Sequence, residues 1–77
     1  MARESFGRRL KRLRMAAGLS QARLARAAGL PFGTVRNWEY DKREPLLSAA
    51  VKLAAALGVD LNVLAGVEEK PKPKKGK

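Results

Sequence analysis

SQARLARAAGLPFGTVRNWEY, Ser20 to Tyr40, holds two short helical patterns with a break between them. In the first, Gln21 to Ala28, the residues Leu24, Ala25 and Ala28 share one face, and Ser20 stands where an N-cap belongs. The break, Gly29-Leu30-Pro31, offers a residue tolerant of positive φ and then a proline suited to opening a helix. In the second pattern, Phe32 to Tyr40, Thr34, Val35 and Trp38 fall on one arc. Phe32, Gly33, Arg36, Asn37 and Tyr40 fall on the other, spanning about 140°. The first arc is a core face. The second mixes Arg, Asn, aromatic and Gly, where an ordinary exposed helix would favour Lys, Glu and Ala. Gly33 in the first turn weakens the helix by about 1 kcal/mol relative to Ala, and close approach to another surface is a reason for it. Arg23 occupies the place of a capping-box Glu and opposes the helix dipole. An anion docked at that helix start would explain it. Ala25, four before Gly29, is small enough for the second helix to cross the first there, while Val35 and Trp38 anchor the inner face of the second.

Outward from this stretch the pattern stays helical. Over Ser5 to Ala17, Phe6, Leu10, Leu13 and Ala17 lie within an arc of about 60° and form the expected core stripe. Arg8, Lys11 and Arg12 lie opposite; Arg9 and Arg14 flank the stripe. Arg14 is therefore half-buried by position and requires a carboxylate. A fourth helix, Leu46 to Leu57, carries Leu46, Leu47, Ala50, Val51, Leu53, Ala54 and Leu57 on a wide apolar face suited to packing between neighbours. Asp60 is expected to cap a last turn in which Leu61 and Leu64 return to the core. Gly18, Gly29 and Gly58 each follow an apolar run, where a left-handed helix stop would fall. No run alternates with period two, so the expectation is an all-α fold of five helices over residues 1–67. The last ten residues, EEKPKPKKGK, lack an apolar side chain apart from two prolines and read as a disordered basic tail, 68–77.

Composition limits function. Seventy-seven residues suffice for one small domain and leave little room for a deep catalytic cleft. The chain contains no Cys and no His, which removes disulfides, thiolate and imidazole metal sites, and Ser-His or Cys-His catalysis. No carboxylate cluster stands in for them, so neither an enzyme nor a cofactor is expected. The net charge is +10 and the isoelectric point is near 11.0. Five lysines against two glutamates place +3 of that charge on residues 68–77, and the remaining +7 lies on residues 1–67. Such a balance calls for a polyanionic partner, nucleic acid before an anionic membrane surface. Nothing has the length and apolar character of a signal peptide or a membrane span, so the cytoplasm or nucleoid is the expected location.

FGRRLKRLRMAAGLSQARLARAAGL, then TVRNWE, then REPLLSAAVKLAAALGV resemble the helix-turn-helix domain of the lambda repressor and Cro proteins, the XRE family. The joint occurrence of GLSQ, Trp38-Glu39, a proline six residues later and Leu57-Gly58-Val59 makes the match specific over about residues 5–65. The resemblance implies a compact five-helix lambda-repressor-like fold that binds double-stranded DNA, with Phe32 to Tyr40 in the major groove. By matching position, Phe32, Gly33 and Asn37 take the base-reading places and Arg36 projects beside them. Gln21 at the start of the crossing helix, with Tyr40, Lys42 and Arg43 after the recognition helix, take the phosphate contacts, and Ser20 and Arg23 beside Gln21 are further candidates at that helix start. Phe32 and Gly33 replace polar residues, so hydrogen-bonded readout falls to Arg36 or Asn37, and Phe32 is left a thymine methyl. Pro31 replaces the usual Ser or Thr cap. The resemblance also implies an ion pair between Arg14 and Glu39. Self-association, if it occurs, would use the fourth helix, the last turn or the run Val59 to Val67, and a two-fold homodimer would read a palindrome. The rival expectation on the same fold is an antitoxin or adaptor that holds a protein partner.

Overall fold

The computed structural model describes residues 4–66, and the expected tail at 68–77 lies outside them. Five helices follow one another: α1 (Phe6–Ala16), α2 (Gln21–Ala28), α3 (Phe32–Glu39), α4 (Leu47–Leu57) and α5 (Leu61–Ala65). There is no strand among the described residues. Residues expected at helix ends serve as caps: Ser5 and Ala17 bound α1, Tyr40 ends α3 and Leu46 precedes α4.

Packing closes a ring. α1 rests on α3 and α5, α2 on α3 and α4, and α4 on α5. Leu10, Leu24, Val35, Leu53 and Leu64, one from each helix, are fully buried at its centre. Ala25 and Ala28 are buried too, so α3 crosses α2 over small side chains. Each fully buried Leu contributes about 1.5–3 kcal/mol, which is how so short a chain holds five helices together.

The helix stops explain the tight turns. Gly18, Gly29 and Gly58 all have positive φ, between 71° and 74°. At the end of α2, the Leu30 N–H reaches the Ala25 carbonyl at 2.8 Å and the Gly29 N–H reaches that of Arg26 at 3.1 Å. This pair of bonds requires a left-handed residue between them, and Gly adopts that conformation without a Cβ clash.

Three expectations are corrected. Ala17 is exposed, because the chain leaves the helix there and the stripe ends at Leu13. Leu46, Leu47 and Val51 are exposed at 78%, 69% and 49%, so only Leu53, Ala54 and Leu57 of the wide α4 face are buried. The start of α4 projects past its neighbours, and periodicity alone does not show where a neighbour ends. Asp60 stands at the N-cap of α5, but its side chain makes no capping bond.

Candidate nucleic-acid interface

α3 is held from behind. Val35 is fully buried and Trp38 is 6% exposed, which anchors the inner face. At the C-terminal end the Glu39 carboxylate is buried and accepts from Arg14 Nε at 2.5 Å and Nη2 at 3.1 Å. Arg14 Nη1 also donates to the Leu19 carbonyl at 2.9 Å. Gln21 Nε2 donates to Glu39 Oε1 at 2.9 Å, so α1, α2 and α3 meet at one carboxylate. The pair expected between Arg14 and Glu39 is thus present, with Gln21 as a third member. One amide N–H of the half-buried Gln21 is committed to Glu39, and a phosphate contact by this residue is left to its second N–H.

A second anchor was not read from the sequence. Asp41, just past α3, has φ 61°, a conformation that costs a non-glycine residue about 1 kcal/mol. Its Oδ2 accepts from the Ser5 hydroxyl at 2.8 Å and its Oδ1 from the Gly7 N–H at 2.9 Å. These two bonds, the Ser5 hydroxyl first, hold its carboxyl below the usual aspartate range. Gly7 is buried against the end of α3: a Cβ there would lie 2.5 Å from the Glu39 carbonyl oxygen and 2.7 Å from that of Trp38. No local pattern marks these roles, since the partners are 34 and 36 residues apart.

The outer face is open. Phe32 is 47% exposed and Arg36 is exposed, with Asn37 half-buried beside them. A Cβ on Gly33 would meet no atom within 4 Å, so packing within the chain does not explain the glycine. Asn37 and Arg43 line one cleft of about 440 Å³ between α3 and the start of α4, together with Thr34, Trp38 and Ser48. Thr34, Asn37 and Trp38 come from α3, Arg43 from the loop after it and Ser48 from α4, and the fold brings them to one edge.

Around this face, Tyr40, Lys42 and Arg43 are exposed on the loop after α3. Ser20 caps α2 by accepting from the Arg23 N–H at 3.0 Å, which leaves its hydroxyl proton to donate. The exposed Arg23 sits in the same turn. Pro31 precedes α3 without a side-chain cap bond. The ion pairs among the described residues engage Arg9, Arg12 and Arg14, so Arg23, Arg36, Lys42 and Arg43 present unneutralised charge. A helix with a buried back, an apolar-polar front and cations at both ends has the form required to enter a groove between two rows of phosphates.

Comparison with known proteins settles the family. A family model described as helix-turn-helix matches residues 10–64. The chain belongs to the helix-turn-helix family. It is 37% identical over 65 residues to the HTH-type transcriptional regulator PuuR of Escherichia coli, covering 84% of this chain and 35% of PuuR. It is 39% identical over 59 residues to YonR, a prophage-derived HTH-type transcriptional regulator of Bacillus subtilis, covering 77% of this chain and 55% of YonR. The chain therefore spans about a third to a half of the length of these relatives. Among solved structures it is similar to the restriction-modification controller protein C.AhdI of Aeromonas hydrophila. The TM-score is 0.75 at 42% identity, covering 77% of this chain and 89% of that one. No helix among the described residues is long and apolar enough to cross a membrane.

Proposed function

We propose that this helix-turn-helix protein binds double-stranded DNA sequence-specifically as a small transcriptional regulator in the cytoplasm, on nucleoid DNA. α3 enters the major groove. Arg36 and Asn37 read base edges, Phe32 meets a thymine methyl, and Gly33 allows the backbone of α3 to come close. Ser20, Gln21 and Arg23 contact phosphates on one side, and Tyr40, Lys42 and Arg43 on the other. The observation that carries this reading is Gly33: an exposed helical glycine with open space around its missing Cβ, on a helix whose flanking cations form no ion pair among the described residues.

Binding as a two-fold dimer would use a different surface. Leu46, Leu47 and Val51 are exposed at the start of α4. Beside them runs a groove of about 580 Å³ lined by Phe6, Arg9, Glu44, Leu47, Leu61 and Ala65. The exposed apolar side chains of Leu46, Leu47 and Val51 would meet their own copies across a two-fold axis. Two recognition helices would then meet half-sites about 34 Å apart.

Titration of duplex DNA at several salt concentrations tests the reading. A protein neutralising several phosphates loses affinity steeply, the logarithmic slope being about −0.9 per phosphate. Binding that is weak and insensitive to salt would instead favour the protein-partner reading of this fold.

A further inference from the structure

We propose that Asp41 is a positioning residue for phosphate binding: its carboxylate, gripped by the first turn of α1, holds the turn that presents Lys42 and Arg43 to the DNA backbone. This rests on the reading that Lys42 and Arg43 contact phosphate. Four helix ends share one hydrogen-bond pattern. After α1, α2 and α4 the left-handed residue is Gly18, Gly29 or Gly58. After α3 the same pattern forms, with the Asp41 N–H on the Trp38 carbonyl at 3.1 Å and the Lys42 N–H on the Asn37 carbonyl at 2.9 Å. Here alone the left-handed position holds an aspartate, at φ 61°. A glycine would form the same turn without strain, so the side chain supplies what the backbone does not need.

What it supplies is an attachment. Ser5 accepts the Arg8 N–H at 3.1 Å through its hydroxyl oxygen and gives its one proton to Asp41, so its only donor is committed. The Gly7 N–H, which has no helical partner in the first turn, takes the other carboxylate oxygen. The approach is so close that only a glycine fits at position 7. A first-turn glycine in α1 and a strained aspartate after α3 therefore have one explanation in common. The attachment fixes the residue immediately before Lys42, and Lys42 and Arg43 are exposed and make no ion pair among the described residues. A carboxylate beside a phosphate-facing loop weakens DNA binding by charge alone. Its removal tightens binding unless it holds the loop, and that opposition of sign makes the proposal testable.

The test uses the full chain and a mixed-sequence duplex, with affinity measured against salt. Asp41→Gly keeps the turn and removes the attachment. It should lower affinity by about tenfold at low salt and flatten the salt slope by about one to two units, as two phosphate contacts are lost. Asp41→Asn keeps an acceptor for the Gly7 N–H and should fall between Asp41→Gly and the unsubstituted chain, a partial rescue that also serves if the glycine variant fails to fold. Adding Lys42→Ala and Arg43→Ala to Asp41→Gly should cause little further loss. Affinity equal to or tighter than that of the unsubstituted chain in Asp41→Gly and Asp41→Asn would overturn the proposal and make Asp41 a surface charge. So would a loss of affinity at unchanged salt slope, which belongs to general stability. The Lys42→Ala/Arg43→Ala pair alone separates the two failures. If it leaves the slope unchanged, the phosphate-contact reading falls and the proposal with it; if it flattens the slope while Asp41→Gly does not, only the proposal falls.

Discussion

Glu39 is the only carboxylate on α3, and its burial makes its partners decisive. Three donors reach it from two other helices, so a substitution there disturbs the orientation of α3 as well as its stability. Glu39→Gln should destabilise the fold by about 3–5 kcal/mol, because it leaves the Arg14 charge without compensation in a site only 12% exposed. Thermal or denaturant unfolding measures this; an unchanged melting temperature together with tighter DNA binding would make Glu39 a mere surface charge. The Arg14–Glu39 pairing is implied by the family resemblance, and a half-buried arginine in a chain with few carboxylates is in keeping with it. The roles of Gln21 and Asp41 could not, because both depend on which turn of a distant helix comes within 3 Å of them. Asp41 has its carboxyl pKa lowered by Ser5 and Gly7. Its contribution to stability is therefore full above the ordinary aspartate range and is lost as pH falls through the depressed value. Asp41→Asn should accordingly flatten the acid limb of the stability profile, read by unfolding at a series of pH values.

At the scale of the element, the proposed function has α3 trade stability for contact. Gly33 is exposed with open space around it, so Gly33→Ala should stabilise the helix by about 0.5–1 kcal/mol. For a domain of this size that raises the melting temperature by several degrees, about 4–8 °C per kcal/mol. The same methyl group should weaken DNA binding, since it intrudes where α3 meets the groove. A variant that melts higher and binds as tightly as before would remove Gly33 from the interface. The two faces of α3 were visible in the sequence because Val35 and Trp38 contrast so sharply with Arg36 and Asn37. In α4 nearly every residue is apolar, so the pattern shows a wide face without showing that Leu46, Leu47 and Val51 reach beyond the ring of neighbours.

At the scale of the whole molecule, the +10 charge and the shape act together. In the proposed function, cations at both ends of α3 would supply affinity for any duplex, and the front of α3 would supply the choice among duplexes. If the α4 face pairs two copies, Leu47→Asp should shift sedimentation towards the monomer and reduce affinity for a palindromic site far more than for a half-site. Equal losses on both would place Leu47 outside any dimer contact. The central claim, that the outer face of α3 reads bases, is tested most directly by one comparison on a duplex selected from a random pool. Affinities of the unsubstituted chain and of Asn37→Ala are measured on the selected duplex and on a scrambled one. The expected result is a loss of about 1–3 kcal/mol on the selected duplex and almost none on the scrambled one. Equal losses on both duplexes would contradict base reading by Asn37 and the placement of α3 in the major groove that rests on it.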